Sequence, residues 1–322
     1  MSPYPHKPVL LKEVVEYLRP HPEGTYVDCT VGSGGHAEAI IRTLGPRGRL
    51  VGIDRDGEIL KYARERLAGA RAEVHLIHGN YGDLGDILAG LRIGRVDGFL
   101  YDLGVSSYQL DEPERGFSYW QDGRLDMRMD RDQGTTAWEL VNELPEDELA
   151  RIIRTFGEER WASRIASFIV RARRKAPINT TRDLVEVIKA AIPAGARRKG
   201  PHPARRTFQA LRIAVNRELE PIEGSLRQAA QLLSVGGRIC VISFHSLEDR
   251  IVKRTFSDMA GGCKCPPGLP ECRCGARRLG RVLTRKPILA SAADVRDNPR
   301  ARSARLRVFE KGTPVLPREE GE

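Results

Sequence analysis

An α/β fold, in which a doubly wound parallel sheet is interrupted by an all-helical insertion, is the architecture this 322-residue sequence predicts. Three observations lead there. Between residues 25 and 102, apolar runs of strand length alternate with helical periodicities, the pattern of βαβ units with right-handed crossovers. The first run empties into a glycine-rich turn, Val31-Gly-Ser-Gly-Gly-His36, that opens a helix, and the second ends in a carboxylate, Asp54, about 20 residues beyond the glycines. Past residue 110 the alternation stops, and four helical patterns follow one another with no strand among them.

Taken in order, residues 9–18 repeat apolar positions at helical spacing and stop before Pro20, an amphipathic helix ahead of the sheet. Strands are expected at 25–29, 49–54, 74–78 and 96–102, with helices at 37–41, 59–67 and 84–91 between them. A polar, glycine-containing stretch over 111–134 leads into helices at 138–144, 146–155, 158–175 and 181–192. The third of these carries Trp161, Ile165, Phe168 and Ile169 on one face as a core stripe. The Pro-rich, basic stretch 197–206 reads as a linker back to the sheet. Helices at 207–216 and 223–233, a fifth strand at 235–243 and a closing strand at 304–309 complete the pattern, and the tail after Gly312 reads as disordered. The expected domains are a discontinuous sheet domain, residues 1–108 and 207–322, and a helical domain, residues 109–206.

In such a sheet a ligand binds beyond the carboxyl ends of the strands. Glycines in the first turn let the backbone take positive φ and approach the ligand, while the first N–H groups of the helix point toward it. Asp54 stands where a ribose would lie and can accept both of its hydroxyls. The spacing then separates two kinds of cofactor. A dinucleotide site favours G-x-G-x-x-G, which leaves the helix N-terminus bare for a pyrophosphate. Here Gly32-x-Gly34-Gly35 is followed at once by His36, and Asp28 stands just before the turn. An acid there repels a pyrophosphate and suits a ligand carrying an ammonium or sulfonium group. S-adenosylmethionine carries both, and a nicotinamide-dependent oxidoreductase is the disfavoured reading.

Tyr81 and Asp102 fall on the same edge, as do His245 and Ser246 past the fifth strand. Tyr81 reads either as a ring laid against an adenine or as an ordinary rim aromatic. His245 reads either as a site residue or as a helix cap.

Composition bounds the rest. With 40% hydrophobic residues the chain can build a core, and no apolar run approaches the length needed to span a bilayer. The first residues lack the apolar core of a signal peptide, so a soluble, cytoplasmic protein with no membrane partner is expected. A net charge of +10 points to a polyanionic partner, RNA or DNA, and basic blocks gather at 171–175, 197–199, 205–206 and 296–307. Arg173, Arg174, Arg205 and Arg206 are the candidate contacts. Of six cysteines, Cys29 and Cys240 lie in strands as small core residues, whereas Cys263, Cys265, Cys272 and Cys274 frame a hairpin-like clip. Their C-x-C spacing leaves zinc, disulfides and reduced thiols all open, and none puts chemistry on them. No metal is expected in the reaction.

A set of strings in collinear order from about Pro8 to Phe309 carries a resemblance. They are Val31-Gly-Ser-Gly-Gly-His36, Gly52-Ile-Asp-Arg-Asp56, His78-Gly-Asn-Tyr81, Tyr101-Asp-Leu-Gly-Val-Ser-Ser107, Gln109-Leu-Asp111 and Arg115-Gly-Phe-Ser118. Farther on come Leu125-Asp-Met-Arg-Met-Asp130, Phe156-Gly-Glu-Glu159, Arg206-Thr-Phe-Gln209, Ser243-Phe-His-Ser-Leu-Glu-Asp-Arg250 and Asn298-Pro-Arg-Ala-Arg-Ser303. Together they resemble the bacterial small-subunit ribosomal RNA methyltransferase H family, also called MraW. The resemblance implies a Rossmann-like class I methyltransferase sheet and an S-adenosylmethionine-dependent enzyme. Its substrate would be the exocyclic N4 of one cytidine in the decoding centre (P site) of 16S rRNA, within an assembled small ribosomal subunit.

Carried over position by position, the family's cofactor contacts fall on Gly34, Gly35, His36, Asp54, Tyr81, Asp102 and Gln109, those of His36 and Gln109 from the resemblance alone. Asp102 or a backbone carbonyl in Leu103 to Val105 is the candidate proton acceptor, with His245 and Ser246 shaping the base pocket. At the fourth strand many amino-methyltransferases have an acid, Asn or Ser followed by two prolines and an aromatic ring. Asp102-Leu-Gly-Val105 has neither prolines nor a ring, so a catalytic assignment does not transfer from DNA cytosine-N4 enzymes. A methyltransferase of another nucleic acid or of protein, an RNA-binding protein without turnover, and a homodimer stay open.

Overall fold

The computed structural model describes residues 8–197, 200–262, 265 and 278–313. In chain order it begins with α1 (Leu11–Leu18), β1 (Thr25–Asp28), α2 (Gly35–Ile41), β2 (Arg49–Asp54), α3 (Leu60–Leu67), β3 (Glu73–His78), α4 (Leu84–Gly90) and β4 (Val96–Asp102). A helical stretch follows: α5 (Ser107–Asp111), α6 (Ala137–Glu143), α7 (Glu146–Gly157), α8 (Ala162–Arg173), α9 (Thr181–Ala191), α10 (Ala194–Arg197) and α11 (Arg205–Asn216). The chain then continues through α12 (Glu220–Leu232), β5 (Leu233–Ser243), α13 (Ser246–Met259), β6 (Gly280–Val282), β7 (Ile288–Leu289), α14 (Ala292–Asp297) and β8 (Arg305–Lys311). It divides into a sheet unit, up to Gly104 and from Leu219 onward, and a helical unit, Val105–Glu218.

The sheet unit holds one sheet in the order β3-β2-β1-β4-β5-β8-β6, with β7 also on β8. Strands β1 to β5 are parallel, whereas β8 runs antiparallel to β5, β6 and β7. Both faces are covered, so strand side chains alternate between two apolar layers. Tyr26, Leu100, Cys240 and Ile242 pack on the side of α1 to α3, and Val27, Phe99, Tyr101 and Val241 on the side of α4, α12 and α13. That is why the strands read as unbroken apolar runs. The strand order reverses between β1 and β4, which makes their carboxyl ends the crevice where such sheets take ligands.

The expected sheet domain began again at residue 207, and here the structure differs. α11 belongs to the helical unit, because Phe208 and Leu211 enter the core formed by Leu149, Ile153, Ile165, Ile169, Leu184 and Ile188. Gly157 lets α7 and α11 meet, since a Cβ there would lie 2.6 Å from the Arg206 carbonyl oxygen. Gln209 Nε2 also donates to the Phe156 carbonyl at 3.0 Å. The expected linker over 197–206 thus contains the end of α10 and the start of α11. The helix expected from 158 starts instead at Ala162, because Glu158 takes the left-handed conformation (φ 47°) and ends α7. Among the described residues no helix is long and apolar enough to cross a membrane. The tail after residue 313 and Cys263, Cys272 and Cys274 lie outside the described residues.

Candidate active site

The turn after β1 is built on three carboxylates. Asp28, 1% exposed at the end of β1, accepts the Thr30 N–H at 3.2 Å. Asp54, at the end of β2, accepts the Gly32 N–H at 2.8 Å through one oxygen and the Asp56 N–H at 2.9 Å through the other. Each Asp54 oxygen keeps a second lone pair. Asp102, at the end of β4, donates its backbone N–H to Thr30 Oγ1 at 2.6 Å. One threonine therefore ties the β1 turn to the β4 end.

Electrostatics follow from burial. Burial pushes the Asp28 carboxyl up to about 7, opposed by His36 and the Thr30 N–H and reinforced by Asp102 and Asp54. Burial likewise lifts Asp54 to about 6, against the N–H groups of Asp56 and Gly32. Such a cluster resists ionisation until a cation arrives.

Gly34 caps α2 at φ 84°, a conformation that a side chain would strain, and the residue after it tolerates no side chain for another reason. A Cβ on Gly35 would stand 2.5 Å from Pro8 Cγ, so its smallness admits the segment before α1. His36 follows in the first turn of α2, 6% exposed, with Nε2 3.5 Å from Asp102 Oδ2. Both its ring nitrogens, and Asp102 Oδ1, are buried without a hydrogen-bond partner among the described residues. Buried polar atoms without partners are uncommon in folded proteins.

Tyr81 opens a short 3₁₀ turn after β3, capped by Asn80, whose side chain accepts the Gly82 N–H at 2.9 Å. Its ring meets Tyr101 edge-on at 5.6 Å, and the Tyr101 hydroxyl is paired with Ser225 Oγ at 2.8 Å. The tyrosine is therefore half-buried and held in orientation.

His245 is the N-cap of α13, and its neighbour Ser246 is the first helical residue. Glu248, 1% exposed, accepts the Phe244 N–H at 2.8 Å and the His245 N–H at 3.3 Å, and one of its oxygens lies 3.1 Å from His245 Nε2. The cap reading of His245 is thus observed. Its imidazole is fixed against a buried acid, and Ser246 is half-buried beside it.

The remaining candidates lie in the helical unit. Gln109 is buried in α5 and closes a capping box, its Oε1 accepting the Ser106 N–H at 3.0 Å while its own N–H donates to Ser106 Oγ at 3.2 Å. Arg173 donates to the Val141 and Leu144 carbonyls at 2.7 and 2.6 Å, capping the end of α6. Arg174 and Arg205 are exposed, as is Arg206, which gives one donor to the Glu158 carbonyl at 3.1 Å. Cys29 and Cys240 are buried in the sheet, and burial pushes both thiols up, that of Cys240 to about 12. Neither is placed to ionise.

The structure thus brings Asp28, His36, Asp54 and Asp102 to one end of the sheet unit. Thr30 and Glu248, which orient Asp102 and His245, carried no signal in the sequence, because a hydroxyl or a buried acid holding a neighbour has no spacing of its own.

Comparison with known proteins places the chain in a family. Residues 3–312 match the profile described as the MraW methylase family. A relative in Symbiobacterium thermophilum named Ribosomal RNA small subunit methyltransferase H is 58% identical over 306 residues, covering 95% of this chain and 96% of its own. Proteins of the same name in Heliobacterium modesticaldum (53% over 307 residues, 95% and 98% covered) and Pelobacter propionicus (55% over 312 residues, 97% and 100% covered) align equally completely. With a profile match over nearly its whole length and relatives this similar, the chain is a member of the MraW methylase family.

Proposed function

We propose that this protein transfers a methyl group from S-adenosylmethionine to the exocyclic N4 of a cytidine in the decoding centre, at the P site, of 16S rRNA, acting on the assembled small ribosomal subunit. The relatives' name supports small-subunit rRNA as the substrate. The observation that carries the cofactor reading is the acid cluster: Asp28 and Asp102 share a buried corner in which, among the described residues, His36 is the one basic group within reach. An ammonium and a sulfonium suit that corner, and Asp54 keeps lone pairs for two ribose hydroxyls. Gly34, Gly35 and His36 would line the donor, and Tyr81 would flank its adenine.

The bound donor supplies an electrophilic methyl for an in-line displacement. The difficulty lies in the acceptor, because the N4 lone pair is delocalised into the pyrimidine ring and the amine is barely basic. Asp102 Oδ1, buried and unpaired, can accept an N4 hydrogen, draw the nitrogen toward pyramidal geometry and take the proton once the new bond forms. No strong base is required, since alignment of two bound reactants can contribute about 7 to 11 kcal/mol. His245 and Ser246 would shape the base pocket, with Glu248 locking the imidazole. Unstacking the cytidine costs a few kcal/mol, offset by phosphate contacts from Arg174, Arg205 and Arg206. Arg173, committed to two carbonyls, adds charge more than contact.

Methyl incorporation into small subunits from a strain lacking this protein tests the reading, followed by mass spectrometry of the 16S rRNA fragments. N4-methylcytidine in the decoding-centre fragment is expected. Label in another nucleotide or in a ribosomal protein would overturn the assignment.

A further inference from the structure

The helical unit carries an aromatic surface that the reaction above does not use. Trp120 is 75% exposed, the most exposed large apolar side chain among the described residues. Its backbone is nonetheless held in place. The N–H groups of Trp120 and Gln121 donate to Ser118 Oγ at 3.2 and 3.3 Å. Thr181, at the start of α9, donates its hydroxyl to the Gln121 carbonyl at 2.7 Å and accepts the Gly123 N–H on it at 3.1 Å, while its own N–H donates to the Gly123 carbonyl at 2.9 Å.

The ring is backed by others. Buried Phe208 meets Tyr119 edge-on at 5.8 Å, and Tyr119 lies flat on His202 at 4.8 Å with 11° between planes. Trp120 leans over both, 4.8 Å from His202 and 5.5 Å from Tyr119. A fixed indole, braced behind and open in front, presents a flat apolar face to solvent.

The surroundings select what would cover it. Arg205 and Arg206 follow His202 within one turn, and the Arg205 N–H donates to the His202 carbonyl at 3.0 Å. Burial, then the nearby charge of Lys189, hold the His202 imidazole below its ordinary range, so it stacks as a neutral ring. Asp122, the nearest acid in sequence, is occupied by Arg182 at 3.6 Å. Aromatic faces bordered by cations repel a cationic ligand and suit flat rings carried on a polyanion. We propose that Trp120, braced by Tyr119 and His202, is a stacking platform for an unpaired nucleobase of the RNA substrate. The inference rests on RNA being the substrate, and its test separates the two.

The chain has three tryptophans, so Trp138→Phe with Trp161→Phe leaves Trp120 as the only indole. Titrating that variant with hexacytidylate RNA is expected to quench its fluorescence saturably. In the otherwise native chain, Trp120→Ala is expected to weaken hexacytidylate binding about five- to hundredfold and to raise the KM for unmodified small subunits, with S-adenosylmethionine affinity unchanged. Trp120→Phe should keep most of the binding, and His202→Ala should lose part of it. Unchanged oligonucleotide affinity in Trp120→Ala overturns the platform while leaving methylation of the subunit intact. A raised KM without quenching also overturns it, and assigns the surface to a ribosomal protein. Quenching by RNA in a chain that methylates no RNA would sink the substrate reading and leave the platform standing.

Discussion

Replacing Asp28 by asparagine removes one charge and keeps one acceptor, because the amide oxygen can still take the Thr30 N–H. In the native chain, burial lifts this carboxyl from 3.8 to about 7. Between those values the folded state binds more protons than the unfolded chain. The contribution to stability is therefore fully present below about pH 3.8 and is lost as pH rises through about 7. At about 1.4 kcal/mol per tenfold change in proton affinity, that interval corresponds to roughly 4 kcal/mol at most. Asp28→Asn should accordingly melt like the native protein below about pH 3.8 and several degrees higher at about pH 8. Donor binding responds with the opposite sign. A cation beside Asp28 draws it into the ionised form, so affinity should rise about tenfold between roughly pH 6 and pH 8, with a proton released at the lower end. Calorimetry in buffers of different ionisation enthalpy measures that proton directly. A pH-independent affinity in the native chain, or an Asn variant no more stable at about pH 8, would refute the claim that an unpaired buried acid awaits a cation.

Three further outcomes follow from the geometry. Asp54→Ala should weaken S-adenosylmethionine binding at least tenfold in calorimetry, since it removes both the ribose acceptor and the Gly32 anchor; an unchanged affinity would reject the ribose assignment. Arg173→Ala should destabilise the fold by about 1 to 3 kcal/mol in denaturant melts, because two carbonyls at the end of α6 lose their donor, whereas Arg174→Ala should leave the melt unchanged and raise only the KM for subunits. Arg307→Met should cost about 3 to 5 kcal/mol in the same melts. It takes from the buried Asp249 the guanidinium that grips it at 2.6 and 3.0 Å, leaving it, among the described residues, the more exposed Arg305 at 3.3 Å.

Much of the fold is legible in the sequence. Apolar runs bounded by glycine and acid marked β1 to β4, because strands buried on both faces have no polar phase to blur them. The short strands β6 and β7 were not legible: at three and two residues they owe their conformation to pairing with β8, which no local pattern records. The same holds for α11. Its periodicity was plain, but nothing in it says that Phe208 and Leu211 face the helical core and not the sheet. In the site, Asp54, Asp102 and Tyr81 could be placed because strand ends are predictable. The commitment of Arg173 to carbonyls could not, since a basic run reads alike whether its guanidiniums face solvent or cap a neighbouring helix.

The acid cluster itself argues from fold to chemistry. In the order β3-β2-β1-β4, the parallel pairings bring the carboxyl ends of β2, β1 and β4 side by side, so acids closing all three strands are forced together. A sheet that needed only to fold would gain by having Asn or Ser at Asp28, where burial already pushes the carboxyl to about 7. Asp54 has a structural reason to be acidic, because it fixes the Gly32 turn through two N–H groups. Among the described residues, Asp28 makes one bond that an amide could make, and Asp102 Oδ1 makes none. Their charge is left over from the demands of folding. Burial makes the Asp28 charge unfavourable, and a positive ligand would offset that cost, which a sulfonium donor with an ammonium tail supplies and a pyrophosphate does not.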